Sequence, residues 1–299
     1  MERLSERGRA HADPVDGASE VRGPRRSFRV GVLSDLHAEP DPPWTRSWIN
    51  SYEPRHLAAR IDQAIEHFRE ATVELVLLLG DITERADADT LARVFDQVAS
   101  LSVPIAAVGG NHDCGPGADL FTTVAQQSSI LLSALESFTR DGVEVDGVAI
   151  ERTIPGGPLF RTASAPPDRG RDLRMLASHF PILSEAERLA SAGLPYPGDL
   201  LDRREVADRL ARGGAPVVVC SGHLHTRCSI ARAPLLQLSF GSMIEPPFDC
   251  SVVEIFPGAR PRVERRSRRL GPLASIDPVF VGERELWEWR DDSWHPVEL

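Results

Sequence analysis

The sequence predicts a layered α/β fold built on two sheets. In the first half of the chain, short apolar runs rich in β-branched residues alternate with segments of helical periodicity. In the second half, strand patterns predominate, and this order of elements favours two sheets packed in layers. The 299 residues are 41% hydrophobic and 26% charged, which is typical of an ordinary globular protein.

Each element follows from its local pattern. Apolar residues such as Leu57, Ile61 and Ile65 recur at helical spacing, whereas continuous apolar runs of four to eight residues indicate buried strands. The helices are predicted at 57–68, 88–99, 119–139 and 202–211. The strands are predicted at 28–34, 73–79, 103–108, 143–150 (strand, turn and strand), 173–177, 216–220, 235–240, 251–256, 285–289 and 294–297.

Composition shifts predict the domain boundaries. Residues 1–27 are polar and rich in Glu, Arg, Gly and Pro, so we expect a disordered tail without the apolar segment of a secretory signal. Residues 28–257 form the main domain, and residues 258–299 are a strand or hairpin extension packed on it. Trp287, Trp289 and Trp294 are expected to close a C-terminal hairpin, and a homodimer contact is the alternative.

Composition also excludes several functions. All 34 basic side chains are arginine, so the lysine of a phosphate-binding loop, a kinase or a Schiff-base enzyme is missing. A net charge of −10 does not favour nucleic acid or anionic membranes as partners. The four cysteines lie far apart without metal-site spacing, which predicts reduced thiols and a cytoplasmic location.

Five of the buried runs end in a small residue followed by a candidate metal ligand. The carboxyl ends of strands are where open α/β sheets bind ligands, and glycine there allows close approach of the backbone. Five of the nine histidines lie in these motifs. Imidazole, carboxylate and amide groups without thiolate suit Mn, Fe or Zn. The motifs are Ser34-Asp-Leu-His37, Gly80-Asp81, Gly109-Gly-Asn-His-Asp113, Ser178-His179 and Gly222-His-Leu-His225.

Taken in order, these motifs resemble those of the calcineurin-like metallophosphoesterases, over residues 28 to about 256. The resemblance implies a four-layer α/β/β/α sandwich of two mixed β-sheets flanked by helices, here with the C-terminal β extension. It also implies two divalent or trivalent metal ions (Mn, Fe or Zn). By resemblance, the first ion is held by Asp35, His37 and His225, the second by Asn111, His179 and His223, and Asp81 bridges both.

The resemblance also implies a reaction. A hydroxide that bridges the two ions attacks the phosphorus of a phosphate ester in line with the leaving group, without a covalent enzyme intermediate. His112 does not bind metal but protonates the leaving oxygen or contacts the phosphate. Two roles stay open for Asp113: it orients or tunes His112, or it caps the loop.

Departures from relatives narrow the expected substrate. The segment Gly80-Asp-Ile-Thr-Glu-Arg85 differs from the motif of protein Ser/Thr phosphatases, and no tyrosine follows Asp81 closely, as one does in purple acid phosphatases. The chain most resembles the compact bacterial branch that includes cyclic-nucleotide phosphodiesterases. We therefore expect a phosphodiesterase acting on a small phosphorylated, nucleotide-like substrate. The alternatives are a phosphomonoesterase, a nuclease or a non-catalytic scaffold of the same fold.

Two further groups of residues bear on substrate choice. Trp44, Trp48 and Tyr52 are spaced four apart, so one face of a short helix would carry all three. They would stack on a base, form a lid or simply pack beneath a loop, and Tyr196 raises the same question. The arginines of the stretch 260–269 would either steer an anion or form the solvated face of an edge strand, which is the favoured interpretation. His56 and His67 are expected at the surface.

Overall fold

Two β-sheets lie face to face between layers of helices in the computed structural model, which describes residues 26–41, 46–115, 120–132, 137–154, 156–164, 173–273 and 276–299. The predicted tail lies outside the described residues, apart from Arg26 and Ser27. The helices are α1 (Leu57–Glu70), α2 (Ala88–Ala99), α3 (Leu120–Gln127), α4 (Ala186–Ser191) and α5 (Arg203–Arg212), and a single 3₁₀ turn spans Pro54–His56.

Most strands of the main domain match the predicted apolar runs, whereas the strands at 131–132, 138–140, 160–164 and 228–232 were not predicted. The observed strands are β1 (Phe28–Leu33), β2 (Leu75–Leu78), β3 (Ile105–Ala107), β4 (Leu131–Leu132), β5 (Phe138–Arg140), β6 (Val143–Gly147), β7 (Ala149–Arg152), β8 (Phe160–Ser164), β9 (Leu173–Ser178), β10 (Val217–Ser221), β11 (Cys228–Arg232), β12 (Leu235–Ser239), β13 (Asp249–Phe256), β14 (Arg262–Arg269), β15 (Arg284–Arg290) and β16 (Ser293–Val297).

Both large sheets are mixed. Among the described residues, the eight-stranded sheet has the order β16-β15-β14-β13-β1-β2-β3-β4, and the six-stranded sheet has the order β11-β12-β10-β9-β6-β5. In the first sheet β1 pairs in parallel with β2 but antiparallel with β13. In the second sheet β6, β9, β10 and β12 run parallel, and β5 and β11 pair antiparallel at the edges.

Three apolar cores separate four layers. One core joins α1, α2 and α3 to the eight-stranded sheet, a second fills the space between the sheets, and a third joins α5 to the six-stranded sheet. Alternation along β1 shows how a strand serves two cores: Val30 and Val32 face the other sheet, whereas Leu33 faces the helices. The predicted α/β/β/α arrangement is confirmed.

The helix predicted over 119–139 is wrong. The helix α3 ends at Gln127, Ser129 follows with a φ of 56°, and β4 and the start of β5 lie within the remaining stretch. The stretch thus contains a helix and parts of two strands that belong to different sheets, and periodicity over such short runs does not separate these states.

The arginine-rich strand β14 is not an edge strand, contrary to the favoured interpretation. It lies between β13 and β15, and β16 forms that edge of the sheet. Arg265 is only 1% exposed; its guanidinium donates to the Ser239 carbonyl at 2.8 Å and pairs with Glu285 at 2.9 Å. The hydrogen-bonded ion pair explains how a charged side chain is tolerated between the sheets.

The C-terminal hairpin of β15 and β16 is present, as predicted. Trp289 and Trp294 are cross-strand partners with ring centroids 5.6 Å apart, and both are buried in the core between the sheets. The Trp294 indole donates to the Pro234 carbonyl at 3.0 Å. The hairpin therefore continues the eight-stranded sheet and covers part of the six-stranded one. His56 is exposed, as predicted, whereas His67 is half-buried.

Candidate metal centre

The five motifs meet where the two sheets come together. The loops after β1, β2 and β3 belong to the eight-stranded sheet, and those after β9 and β10 belong to the six-stranded sheet. Backbone hydrogen bonds join neighbouring loops within each set: the His37 amide donates to the Asp81 carbonyl at 2.8 Å, and the Gly222 amide donates to the His179 carbonyl at 3.0 Å. The loops therefore hold their side chains against a common space.

Six of the predicted ligands form two compact groups, within each of which the ligand atoms lie within 4.8 Å of one another. Asn111 adjoins the second group, since its Oδ1 lies 2.9 Å from His179 Nε2. Their assignment as ligands stays a prediction. The groups are Asp35, His37 and His225, and Asp81, His179 and His223.

Asp81 faces both groups. Its Oδ2 lies 3.3 Å from His179 Nε2 and 3.7 Å from His37 Nε2. Its Oδ1 accepts the backbone amide of His112 at 2.8 Å, which fixes the orientation of the carboxylate. This is the position that the predicted bridging role requires.

The imidazole contacts test whether cations fit here. Nδ1 of His37 lies 2.6 Å from Glu84, and Nδ1 of His225 lies 2.5 Å from Glu245, so in the neutral rings both Nε2 atoms carry lone pairs. These two Nε2 atoms face each other at 3.2 Å, and only positive charge, from a proton or a metal ion, satisfies both lone pairs. His223 Nδ1 likewise lies 3.2 Å from His179 Nε2, so ring nitrogens converge in both groups and the residues fit metal ions.

The backbone at the centre is strained. Non-glycine residues with positive φ are uncommon, and such strain concentrates at functional sites. Five of the predicted ligands adopt this left-handed conformation, which turns each side chain sharply off the end of its strand. They are Asp35 (51°), His37 (47°), Asp81 (45°), His223 (70°) and His225 (52°).

Glycines make room for the ligand side chains. A Cβ on Gly110 would lie 2.1 Å from Asp81 Oδ1, and a Cβ on Gly222 would lie 2.2 Å from Ser34 Oγ and 2.9 Å from Asp35 Oδ2. Real Cβ atoms do not approach so closely. The atoms that need this space therefore belong to the candidate ligands themselves and to a neighbouring serine.

The two aspartates stay ionised despite burial. Burial works to raise the pKa of Asp35, but the His225 imidazole outweighs it and lowers that pKa. Burial likewise opposes the charge of Asp81, whose pKa is held well below its usual value chiefly by His179. Two buried carboxylates side by side draw positive charge into the centre.

His179, His223 and His225 differ sharply in basicity. Burial works to lower the pKa of each of these three, yet Asp81 raises the pKa of His179 to about 9, and Asp35 raises the pKa of His225 to about 10. Burial, together with the charge of His179, lowers the pKa of His223 to about 3. His223 is therefore a ready neutral ligand, whereas the other two must release protons before they bind a metal ion.

His112 lies beside the centre, with its side chain 36% exposed. Its ring centroid is 4.8 Å from that of His37, and its Nδ1 donates to the Glu84 carbonyl at 3.0 Å. A carbonyl only accepts, so the proton is on Nδ1, and Nε2 is the nitrogen left for a substrate. The geometry suits a proton donor to a leaving group.

Asp113 holds two loops together. Its carboxylate is buried and accepts the amides of Ile82, Thr83 and Gly110 at 2.8–3.1 Å, as well as the Thr83 hydroxyl at 3.0 Å. Burial, with Asp81 nearby, raises its pKa. Of the two roles left open by the sequence, these contacts favour loop capping, because they occupy the carboxylate away from the His112 ring.

Two carboxylates of the centre escaped the sequence analysis. Glu84 contacts His37 and also pairs with Arg46, and Glu245 contacts His225. Glu84 follows Asp81 by three residues, so its place near the motif was a usable signal. Glu245 lies in Met243-Ile-Glu-Pro-Pro247, and no spacing there relates it to a histidine.

The segment 46–53, here called the aromatic segment, brings Tyr52 close to two residues of the first ligand group. The centroid of the Tyr52 ring lies 5.4 Å from that of the His37 ring and 6.0 Å from that of the His225 ring. Trp48, in contrast, is 37% exposed. Trp44 lies outside the described residues. The helix predicted here is wrong: residues 46–53 form a loop closed by an antiparallel bridge between Ser47 and Ser51.

The contacts described for Tyr196 do not connect it to the metal centre. It lies in the loop between α4 and α5, and its hydroxyl donates to the nearby Asp199. Burial, together with that hydrogen bond, raises the pKa of Tyr196 above its ordinary value, so the phenol stays protonated. A role in substrate binding stays a prediction for Trp48, Tyr52 and Tyr196.

The four cysteines are free, and none of the helices described by the structure is long and apolar enough to cross a membrane. A search of curated proteins found no match. The fold is similar to a dimetal phosphatase from Danio rerio (TM-score 0.58, 14% identity, 83% of this chain and 97% of that one). It is also similar to a putative 5'-nucleotidase from Staphylococcus aureus (TM-score 0.51, 12% identity, 84% of this chain and 56% of that one).

These similarities, at low identity, concern the fold. The sequence itself matches the family model of the calcineurin-like phosphoesterases over residues 28–227, a span that contains all five motifs. The chain belongs to the calcineurin-like phosphoesterase family.

Proposed function

We propose that this protein is a dinuclear metal-dependent phosphoesterase that hydrolyses small phosphorylated molecules, with phosphodiesters preferred. One observation carries the proposal: two groups of buried ligand atoms lie side by side, the Asp81 carboxylate faces both, and a half-exposed His112 stands beside them. The four free cysteines are compatible with the cytoplasm, which we keep as the proposed location.

The seven residues of the centre would hold two ions of Mn, Fe or Zn. When bound, such ions draw an anionic ester, lower the pKa of the attacking water and neutralise charge in the transition state. Asp81, whose carboxylate faces both groups, would contact both ions. The first would be held by Asp35, His37 and His225, and the second by Asn111, His179 and His223.

His112 supplies the proton of the reaction. Water attacks phosphorus in line with the leaving group and releases one proton to the solvent; a new P–O bond forms, and the ester P–O bond breaks. Protonated Nε2 of His112 gives its proton to the leaving oxygen, while Nδ1 stays hydrogen-bonded to the Glu84 carbonyl. Asp113 supports this step indirectly, since it braces the loop that carries His112.

Metal analysis and ester hydrolysis test the proposal. We expect about two ions per chain, and chelator-sensitive hydrolysis that is faster for bis(p-nitrophenyl) phosphate than for p-nitrophenyl phosphate. Faster monoester hydrolysis would indicate a phosphomonoesterase. A protein that binds no divalent ion and hydrolyses neither ester would be a scaffold. A screen of cyclic nucleotides, nucleoside monophosphates and phosphorylated metabolites then identifies the substrate.

A further inference from the structure

The carboxylate of Glu245 joins a candidate metal ligand to the aromatic segment. The side chain is fully buried. Its Oε1 lies 2.5 Å from His225 Nδ1, and its Oε2 accepts the backbone amide of Asn50 at 2.6 Å. Each oxygen therefore has one partner, and the two partners lie 175 positions apart in the sequence.

The turn that carries Glu245 is also tied to the other ligand loop. The Ser242 hydroxyl donates to the Asp35 carbonyl at 2.9 Å, and the Met243 amide donates to the Ser34 carbonyl at 3.0 Å. On the other side, the Glu53 amide donates to the Ile244 carbonyl at 2.8 Å. These hydrogen bonds fix the backbone of the turn, so the Glu245 carboxylate is held in one position relative to its two partners.

We propose that Glu245 is a positioning residue with two tasks: it aims His225 Nε2 at the first ligand group, and it fastens the aromatic segment so that Tyr52 lies against His225. A carboxylate on Nδ1 fixes the orientation of a metal-binding imidazole, and its loss typically costs about 10- to 100-fold in metal affinity. The first task rests on the proposed metal centre. The second rests on the Asn50 hydrogen bond alone.

The substitution Glu245→Gln tests both tasks without opening a cavity. The glutamine carboxamide has the same shape, but it has only one oxygen, and its NH₂ group accepts nothing. Both partners of Glu245 are N–H donors, so at least one donor must face the NH₂ group. Glu185→Gln is the matched control, because Glu185 is also buried but accepts from Gln237 and Ser239, away from the histidines.

Two measurements on the full-length chain follow. Titration calorimetry with Mn²⁺ or Zn²⁺ should show that Glu245→Gln weakens one ion about 10- to 100-fold and leaves the other near its wild-type affinity. Amide exchange followed by NMR should show Asn50 exchanging about two- to tenfold faster. Because the one glutamine oxygen can keep only one of the two contacts, at least one of these two changes must appear. Glu185→Gln should leave both quantities at their wild-type values.

The outcomes separate this proposal from the proposed function. Wild-type metal affinities and wild-type Asn50 exchange in Glu245→Gln would overturn the positioning role while the phosphoesterase proposal stands. Equal weakening of both ions, matched by Glu185→Gln, would show a general structural effect and would also overturn it. A wild-type protein that binds no ion overturns the proposed function and the first task together, and Asn50 exchange then decides the second task.

Discussion

Residue position explains much of the centre, since three of its side chains stand on the second or third residue beyond a strand. There Asp35, Asp81 and His223 leave the extended conformation for positive φ, so their side chains turn into the space between the sheets. Glycines at 110 and 222 admit the carboxylates, as the would-be Cβ distances show. Backbone hydrogen bonds between the loops maintain these strained conformations. Each costs about 1–3 kcal/mol of conformational free energy, which the surrounding fold offsets.

His112→Asn tests the proton-donor role at the same scale. Asparagine can still donate to the Glu84 carbonyl but cannot protonate a leaving group, so kcat should fall about 10²–10⁴-fold. The loss should be larger for an alkyl ester than for a p-nitrophenyl ester, because p-nitrophenolate leaves without a proton. Metal content should stay at the wild-type level. Equal losses for both esters would contradict the assignment.

The sequence predicted the candidate ligands but not the residues that hydrogen-bond to them. Asp35, Asp81 and His223 could be found because each follows a recognisable strand end. Glu245 could not, since a buried hydrogen bond to a distant histidine leaves no periodic or spaced pattern. Asp113 shows the converse limit: its place beside His112 in the sequence suggested a catalytic partner, yet its contacts are with loop amides.

At the scale of elements, the sequence predicted what local burial determines. Continuous apolar runs marked β1, β2 and β10 because both faces of these strands are covered. The sequence prediction was wrong for the helix over 119–139 and for the edge position of β14. Whether a strand lies at the edge or inside a sheet depends on neighbours far along the chain. An arginine-rich strand carries the pattern of a solvated edge, and only the pairing of β14 with β13 and β15 shows that Arg265 is internal.

The β15–β16 hairpin should contribute strongly to stability through Trp294. This side chain is 3% exposed, packs on Trp289 and donates to the Pro234 carbonyl. Trp294→Ala should lower the free energy of unfolding by about 3–5 kcal/mol, measured as a shift of the urea midpoint. Trp48→Ala, at a 37% exposed position, is the control and should change it by less than about 0.5 kcal/mol. Similar midpoints for the two variants would show that the hairpin packs weakly.

At the scale of the whole molecule, the centre depends on both sheets at once. Asp35 and Asp81 come from the eight-stranded sheet, whereas His179, His223 and His225 come from the six-stranded sheet. Ions bound between them would favour the state in which the sheets are assembled, because such ligands are brought together only in the folded chain. Metal binding and global stability should therefore be linked.

This linkage should make the effect of metal on unfolding depend on pH. The pKa values of His179 (about 9) and His225 (about 10) lie above the ordinary value of 6.5, so between about pH 7 and pH 9 the folded state holds protons that the unfolded state releases. In chelator, the stability that these protons provide is complete below about pH 6.5 and is lost as the pH rises.

Metal ions bind the deprotonated imidazoles, so the stabilisation by added Mn²⁺ or Zn²⁺ should grow over the same pH range. Urea unfolding with chelator or with metal measures both slopes, and His225→Asn should flatten the slope in chelator. If stability changes with pH by the same slope with and without metal, the ions do not replace these protons. Such a result would place the ions outside the centre.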